Sequence, residues 1–226
     1  MLSHGLRAAR YAFLPQIYFG GGATSTTTQN STTFTSLAIG PPSPNRRVIV
    51  CAYYRQAVTY TADATCTVAG QSTSSVAVTG GTANPFLRMI AYITDAAVTS
   101  GTTANVVITA PTGEDMTRCF VAAYSIVKDT ALVLGQADAS VAASNPSTQT
   151  SSITTDKVGL FFGLAGTNGT LTAFSLSGPV TTNYNTGIIG SASALATATI
   201  TGGTGTCTAT PVGTSSTSRT ILVTWS

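Results

Sequence analysis

The chain has 226 residues, a net charge of +3 and only 8% charged residues, whereas 43% of its residues are hydrophobic. The small net charge, without a basic stripe, gives no indication of nucleic-acid binding. No apolar run reaches the roughly 18 residues needed to cross a bilayer. The abundance of Thr, Ser and Gly disfavours long helices and suits strands whose outer faces carry hydroxyls. Because the hydrophobic residues form short, regularly spaced runs, we predict a folded all-β protein rather than a disordered chain.

Residues 1–19 differ from the rest of the chain. Apolar residues in 1–19 follow helical spacing, and Pro15 ends any helix there. The Thr/Ser run at 24–33, preceded by three glycines, is typical of a flexible tether. We therefore predict an extended or short-helical docking arm and tether over 1–33. The residues expected to bind a partner are Leu2, Leu6, Arg7, Arg10, Phe13, Ile17, Tyr18 and Phe19.

Two alternatives remain for the N-terminal segment. In a signal peptide, Arg7 and Arg10 would interrupt the apolar region that such a peptide needs. The other alternative is a helix or strand that folds back onto its own domain. The remaining residues, 34–226, are predicted to form a β-sandwich domain.

The run RRVIVCAYY at 46–54 predicts the central strand of this domain. Its alternate residues point to opposite faces, and both sets are apolar. A strand that is buried on both faces has this nearly continuous hydrophobic pattern. The prolines just before it prevent pairing from extending towards the N-terminus.

Short apolar runs separated by turn signals predict many further strands and no helix between them. The predicted strands lie at 34–39, 57–61, 65–69, 74–79, 86–94, 103–110, 118–127, 131–135, 149–154, 157–165, 170–176, 187–190, 194–201, 206–210 and 219–225. Asn168-Gly169 predicts a type I′ hairpin between its flanking strands. Trp225, in the last run, is expected to pack against the sheet and hold the chain end. This spacing favours an antiparallel β-sandwich of jelly-roll or Ig-like topology.

The cysteines, at positions 51, 66, 119 and 207, have no metal-binding spacing. Cys51 and Cys119 each lie within a predicted core strand. An immunoglobulin-type bridge between them is one interpretation. Free buried thiols that behave as small hydrophobic groups are the favoured one.

The charged residues show no catalytic or metal-binding pattern. The sole His is His4, and the sole Glu is Glu114, beside Asp115 in the turn PTGED. We predict that this acidic pair lies in a solvated turn, and that the arginines opening strands, such as Arg46 and Arg118, are solvated rim charges. The expectation is therefore a protein that is not an enzyme and that binds no cofactor or metal.

The order of several segments resembles that of a known class of proteins. SLAIG and RRVIVCAYY are followed by VTSGTTANVVIT and RCFVAAYSI, then by DKVGLFFGLAG and a terminal TILVTWS. This order, covering residues 34–226, is similar to small β-sandwich virion proteins of tailed bacteriophages and prophages. The most specific piece is SGTTANVVIT before the RC-hydrophobic strand.

The resemblance implies a structural role on the virion. The expected function is that of a capsid decoration, or cement, protein that binds the major capsid protein lattice, with a homo-oligomer, a trimer by preference. The alternative is a tail-fibre or receptor-binding adhesin. Its candidate glycan-binding loop contains Tyr184 between two asparagines.

Overall fold

The computed structural model describes the backbone of residues 15–56, 58, 60–80, 87–127, 134–143, 149–154, 158–166, 171–178, 180–188, 191–199, 204–213 and 217–225. From residue 134 onward it describes the side chains of only a few residues. The described residues include no helix, and so none that could span a membrane.

The described residues form sixteen strands. They are β1 Gln16–Ser25, β2 Ser31–Ala38, β3 Arg46–Gln56, β4 Thr65–Val68, β5 Gln71–Gly80, β6 Leu87–Thr94, β7 Thr103–Thr109, β8 Met116–Val127, β9 Leu134–Ala143, β10 Gln149–Thr154, β11 Val158–Gly166, β12 Leu171–Ser177, β13 Val180–Ile188, β14 Ser191–Thr199, β15 Thr204–Gly213 and β16 Thr217–Trp225. The all-β prediction is confirmed.

The first eight strands form one antiparallel sheet in the order β1-β8-β3-β6-β5-β4-β7-β2. This sheet curls until it is nearly barrel-shaped, and we call it the barrel. A sandwich, jelly-roll or Ig-like topology is not confirmed. The remaining strands form a five-stranded sheet, β13-β14-β11-β16-β9, and a three-stranded sheet, β10-β15-β12.

The two edge strands of the barrel, β1 and β2, meet at Gly20. A Cβ atom on Gly20 would lie only 2.3 Å from the carbonyl oxygen of Ala38 and 2.8 Å from Cα of Ile39. Only glycine permits such a close approach of two backbones. The register of β1 on β8 also shifts between Phe19 and Gly21, so that the strand bends at this point. At Gly20 the two edge strands of the sheet are therefore close together.

The predicted central strand, β3, lies between β8 and β6 and is buried on both faces. One set of its side chains, including Val50 and Tyr54, fills the barrel interior. The other set, including Ile49 and Tyr53, packs in a second cluster that also contains Ile221 and other residues of β16. The five-stranded sheet therefore covers the outer face of the barrel at β3 and β8. The interpretation of 46–54 as a two-sided core strand is confirmed.

Residues 16–25 are a strand of the barrel, so the predicted tether at 20–33 is wrong for the described residues. Strand β1 pairs with β8 along its whole length, and β2 pairs with β7. Phe19 and Ile17 pack against the second cluster, and the Phe19 ring centroid lies 5.2 Å from that of Tyr124. The alternative of a strand folded back onto its own domain accounts for this part of the chain. Residues 1–14 lie outside the described residues.

Asn168 and Gly169 lie outside the described residues, but the hairpin pairing predicted for the strands on either side of them is wrong. The strand before it, β11, pairs with β14 and β16, whereas the strand after it, β12, pairs with β15 in another sheet. The strand predicted at 57–61 is wrong for the described residues, since residues 58, 60 and 61 have no strand pairing. A turn sequence reports local geometry only, and the partners of a strand are decided by the core that it covers.

Arg46 is fully buried, which contradicts its interpretation as a solvated rim charge. Its guanidinium donates hydrogen bonds to the carbonyl oxygens of Val98 at 2.8 Å, Gly40 at 2.8 Å and Ser100 at 2.7 Å. Burial lowers the pKa of Arg46 from its usual value. The side chain thereby ties two loops to the start of β3.

The three cysteines whose side chains are described are free and buried. Cys51 belongs to the second cluster and Cys119 to the barrel interior. Their side chains point to opposite faces of the sheet, so a bridge between them is excluded. Burial raises the pKa of the Cys66 thiol to about 12.

We predict that Gly20→Ala lowers the free energy of unfolding by about 1–3 kcal/mol, because the new Cβ collides with the backbone of Ala38. Urea unfolding of both proteins measures the difference. Thr24→Val, at an exposed position of the same strand, is the control and should change stability by less than about 0.5 kcal/mol. A Gly20→Ala protein as stable as the parent would contradict the close approach of β1 and β2.

We predict that a Cys207→Ser variant shows no thiol labelling by iodoacetamide when folded at pH 8, and three labelled thiols when unfolded without reductant. Fewer than three labelled thiols would indicate a disulfide.

The unfolded Cys66 thiol ionises near pH 9.0, and burial raises the pKa of the folded one to about 12. Burial raises the pKa of the Cys51 and Cys119 thiols as well, so the stability contributed by the three buried thiols is complete below pH 9 and is lost as the pH rises above it, which unfolding measured against pH will show.

Candidate functional site

Most of the charged residues with described side chains lie at one end of the barrel, where β3 ends and β6 and β8 begin. A short segment, residues 60–64, lies across this end, and we call it the plug segment. Tyr60 and Ala64 of the plug segment are buried with the barrel interior, whereas Thr61 and Asp63 have exposed surface. This end of the barrel is the candidate functional site.

Two tyrosines inside the barrel hold the plug segment by its backbone. The Tyr54 hydroxyl accepts a hydrogen bond from the Ala64 N–H at 2.8 Å, and the Tyr92 hydroxyl donates one to the Ala64 carbonyl at 2.6 Å. Burial is the largest cause of the raised pKa of both tyrosines. The hydroxyls therefore stay protonated and serve as fixed hydrogen-bonding groups.

An ion pair also fixes the plug segment. Arg88 Nη2 lies 2.7 Å from Asp63 Oδ1, and the Arg88 guanidinium lies 5.1 Å from the centroid of the Tyr60 ring. Tyr60 in turn packs edge-on against Tyr54, with ring centroids 5.8 Å apart. Arg88 thus combines an ion pair with a cation–π contact, which is an arrangement that guanidinium groups favour.

Glu114 is buried, so its interpretation as part of a solvated turn is wrong. Its Oε1 accepts hydrogen bonds from the backbone N–H of Thr61, at 2.8 Å, and from the Thr61 hydroxyl. Its Oε2 accepts one from Gln56 Nε2 at 3.1 Å. The neighbouring Asp115 is exposed, as predicted.

This geometry gives Glu114 a positioning role within the fold. Both carboxylate oxygens are bound by donors from β3 and the plug segment, which joins the loop before β8 to the end of β3. The described residues contain no group of three or more His, Cys, Asp or Glu side chains that could hold a metal ion.

A second feature is a hydroxyl-rich outer face formed by β2, β7 and β4. Along these strands, buried residues alternate with exposed ones. The exposed, outward-facing residues are Ser31, Thr33, Thr35, Thr65, Thr103 and Asn105. We call these six residues the hydroxyl face. The strand register places Ser31 of β2 and Thr65 of β4 on either side of Thr109 of β7. The Ser31 and Thr109 hydroxyls are hydrogen-bonded at 2.9 Å. The face carries no charge.

The predicted partner-binding residues of the arm fall into two groups. Leu2, Leu6, Arg7, Arg10 and Phe13 lie outside the described residues. Ile17 and Phe19 instead contribute to the second cluster of the protein's own core. Tyr18 points the other way, is 39% exposed, and donates a hydrogen bond to Gln16 Oε1 at 2.5 Å. Among the described arm residues, Tyr18 is therefore the one with a substantially exposed side chain.

Tyr184 lies within β13 rather than in a loop. Its backbone pairs with Leu195 of β14, just after a register shift that begins at Thr182. Strand β13 is an edge strand of the five-stranded sheet, and Asn185 on it is exposed. A role of this strand in glycan binding stays a prediction.

Sequence reasoning missed the buried roles of Glu114 and Arg46. The available signals were the position of Arg46 at the start of an apolar run and the uniqueness of Glu114 in the chain. Neither signal distinguishes a buried charge from an exposed one, because the partners, such as the Val98 carbonyl and Thr61, are remote in sequence.

No family model, curated protein or solved structure matches the chain.

We predict that Glu114→Ala lowers the free energy of unfolding by about 1–3 kcal/mol, because the buried Gln56 amide and the Thr61 N–H lose their acceptor. Asp115→Ala, at the exposed neighbouring acid, is the matched control and should be nearly neutral. Chemical unfolding measures both variants. Equal effects of the two substitutions would contradict a specific role for Glu114.

Proposed function

We propose that the chain is a non-enzymatic structural protein of a tailed-bacteriophage virion, namely a capsid decoration protein. In this role it binds the lattice of the major capsid protein on the outer surface of the head and stabilises it. The observation that carries the proposal is the uncharged hydroxyl face on the barrel.

An uncharged face is suited to packing against another protein. Burying a charge without a partner requires a large desolvation free energy, whereas hydroxyls lose less and find hydrogen-bond partners readily. The cores of protein interfaces are accordingly depleted of charged residues. A stable interface buries about 1,000 Å² or more in total, which a broad sheet face can supply together with a terminal arm.

The internal polar groups also support a structural role. Glu114 and Arg46 are held by hydrogen bonds from or to distant parts of the chain, and Arg88 is paired with Asp63. Each of these charged groups joins loops to strands. Such cross-links suit a protein whose task is to persist on a particle surface.

In this proposal the docking arm comprises residues 1–14, which precede β1. It would bind a neighbouring capsid subunit through its predicted anchors, Leu2, Leu6 and Phe13 with Arg7 and Arg10. The hydroxyl face can also mediate contacts between copies of the chain, for which we propose a trimer.

The experiment is binding of the purified protein to capsids that lack it. We predict saturable binding at many copies per capsid, and a loss of at least tenfold in affinity for Thr33→Glu/Thr65→Glu, which places two charges on the hydroxyl face. Deletion of residues 1–14 tests the arm without removing β1. Thr181→Glu/Asn185→Glu, at two exposed positions of β13, is the matched control and should bind normally.

Failure of the unaltered protein to bind capsids would contradict the decoration role. Adsorption to host cells is then measured with the same variants. Loss of adsorption in the β13 variant alone would favour the adhesin and its Tyr184 strand instead.

A further inference from the structure

Two arginines face each other across neighbouring strands at the same end of the barrel. Arg55, near the end of β3, is directly opposite Arg118, near the start of β8. The next outward-facing pair along these strands is Tyr53 and Phe120, whose ring centroids are 5.0 Å apart in the second cluster. By strand alternation, both arginines therefore extend from the outer face of the barrel, at the margin of that cluster.

This arrangement is unfavourable when nothing else is bound. Like charges directly opposite each other on a sheet destabilise it. Both arginines are half-buried, and Nη1 of Arg118 is buried without a hydrogen-bond partner. A buried donor without an acceptor is destabilising. Burial, and then the charge of Arg55, lower the pKa of Arg118.

Two of the acidic side chains described at this end of the barrel are engaged elsewhere, and the third, Asp115, is exposed to solvent. Asp63 pairs with Arg88, and the carboxylate of Glu114 accepts hydrogen bonds from Gln56 and Thr61. Within the described part of the chain, no ion pair involves Arg55 or Arg118. Arg118 Nη1 is thus a buried donor without an acceptor, on the strand next to the one that carries Arg55.

We propose that Arg55 and Arg118 form a binding site for an oxyanion, a carboxylate or a phosphate group. Guanidinium groups bind both through paired N–H donors, with charge-assisted hydrogen bonds. An anion between the two arginines would offset their repulsion and supply the acceptor that Arg118 Nη1 lacks. This site is independent of the capsid-binding role and lies apart from the hydroxyl face.

The test is thermal unfolding of the purified full-length protein in sodium phosphate, sodium acetate and sodium chloride at matched ionic strength and pH. We expect Tm to rise by about 5 °C or more in phosphate or acetate at 100 times the dissociation constant, relative to chloride. Isothermal titration calorimetry with the same anions measures binding directly. A response to phosphate alone assigns the site to phosphate groups, and a response to acetate assigns it to carboxylates.

Arg55→Gln and Arg118→Gln should each abolish the rise, while their Tm in chloride should equal or exceed that of the parent because the repulsion is gone. Arg47→Gln is the matched control. Arg47 lies at the opposite end of β3, donates from Nε to the Thr94 carbonyl at 2.5 Å, and its replacement should leave the anion response intact.

Equal Tm values of the unaltered protein in all three salts, with no calorimetric signal, would overturn the proposal. Persistence of the full response in both Arg55→Gln and Arg118→Gln would also overturn it, since binding would then occur elsewhere. If one variant fails to fold, the other decides the outcome, because the site requires both guanidinium groups. None of these measurements involves capsids, so they are separable from the test of the decoration role.

Discussion

The burial of β3 on both faces is the constraint on which the rest of the structure depends. One face requires a filled barrel interior, and the other requires a covering layer, which the five-stranded sheet provides through Ile221 and Val223 of β16. Each face removes apolar surface from water, at about 25 cal/mol per Å². Because the same strand serves both clusters, the barrel and the covering sheet are stabilised together.

Two charged residues of the described part of the chain, Arg46 and Glu114, are buried inside this framework. Arg46 joins loops at one end of β3, and Glu114 joins the plug segment to the other end. Buried charges of this kind are stable only when hydrogen bonds replace the lost water, as they do at both residues. The outer surface of β2, β7 and β4 is left with hydroxyls, which is what makes it suitable for contact with another protein.

Much of the fold could be predicted from sequence, because alternation and turn residues are local properties. The strand at 149–154 matches β10, and 103–110 and 118–127 differ from β7 and β8 by at most two residues at either end. The sequence predicts an arm in place of β1 because Gly20 and its neighbours are typical of a tether. Gly20 is required instead by the approach of β1 to Ala38, a contact that no local pattern reveals.

By itself, the sequence determined the all-β class and the two-sided core strand, since these follow from composition and from periodicity along single strands. Only the tertiary structure decided which strands are neighbours, and therefore which residues meet at the candidate sites. Arg55 ends one run and Arg118 opens another, 63 positions later, and they meet only because β3 pairs with β8 in one register. Glu114 likewise became a buried cross-link only once Gln56 and Thr61 were brought to it. The pairing of distant strands is set by the fit of whole hydrophobic faces, and that information is not present in any single segment.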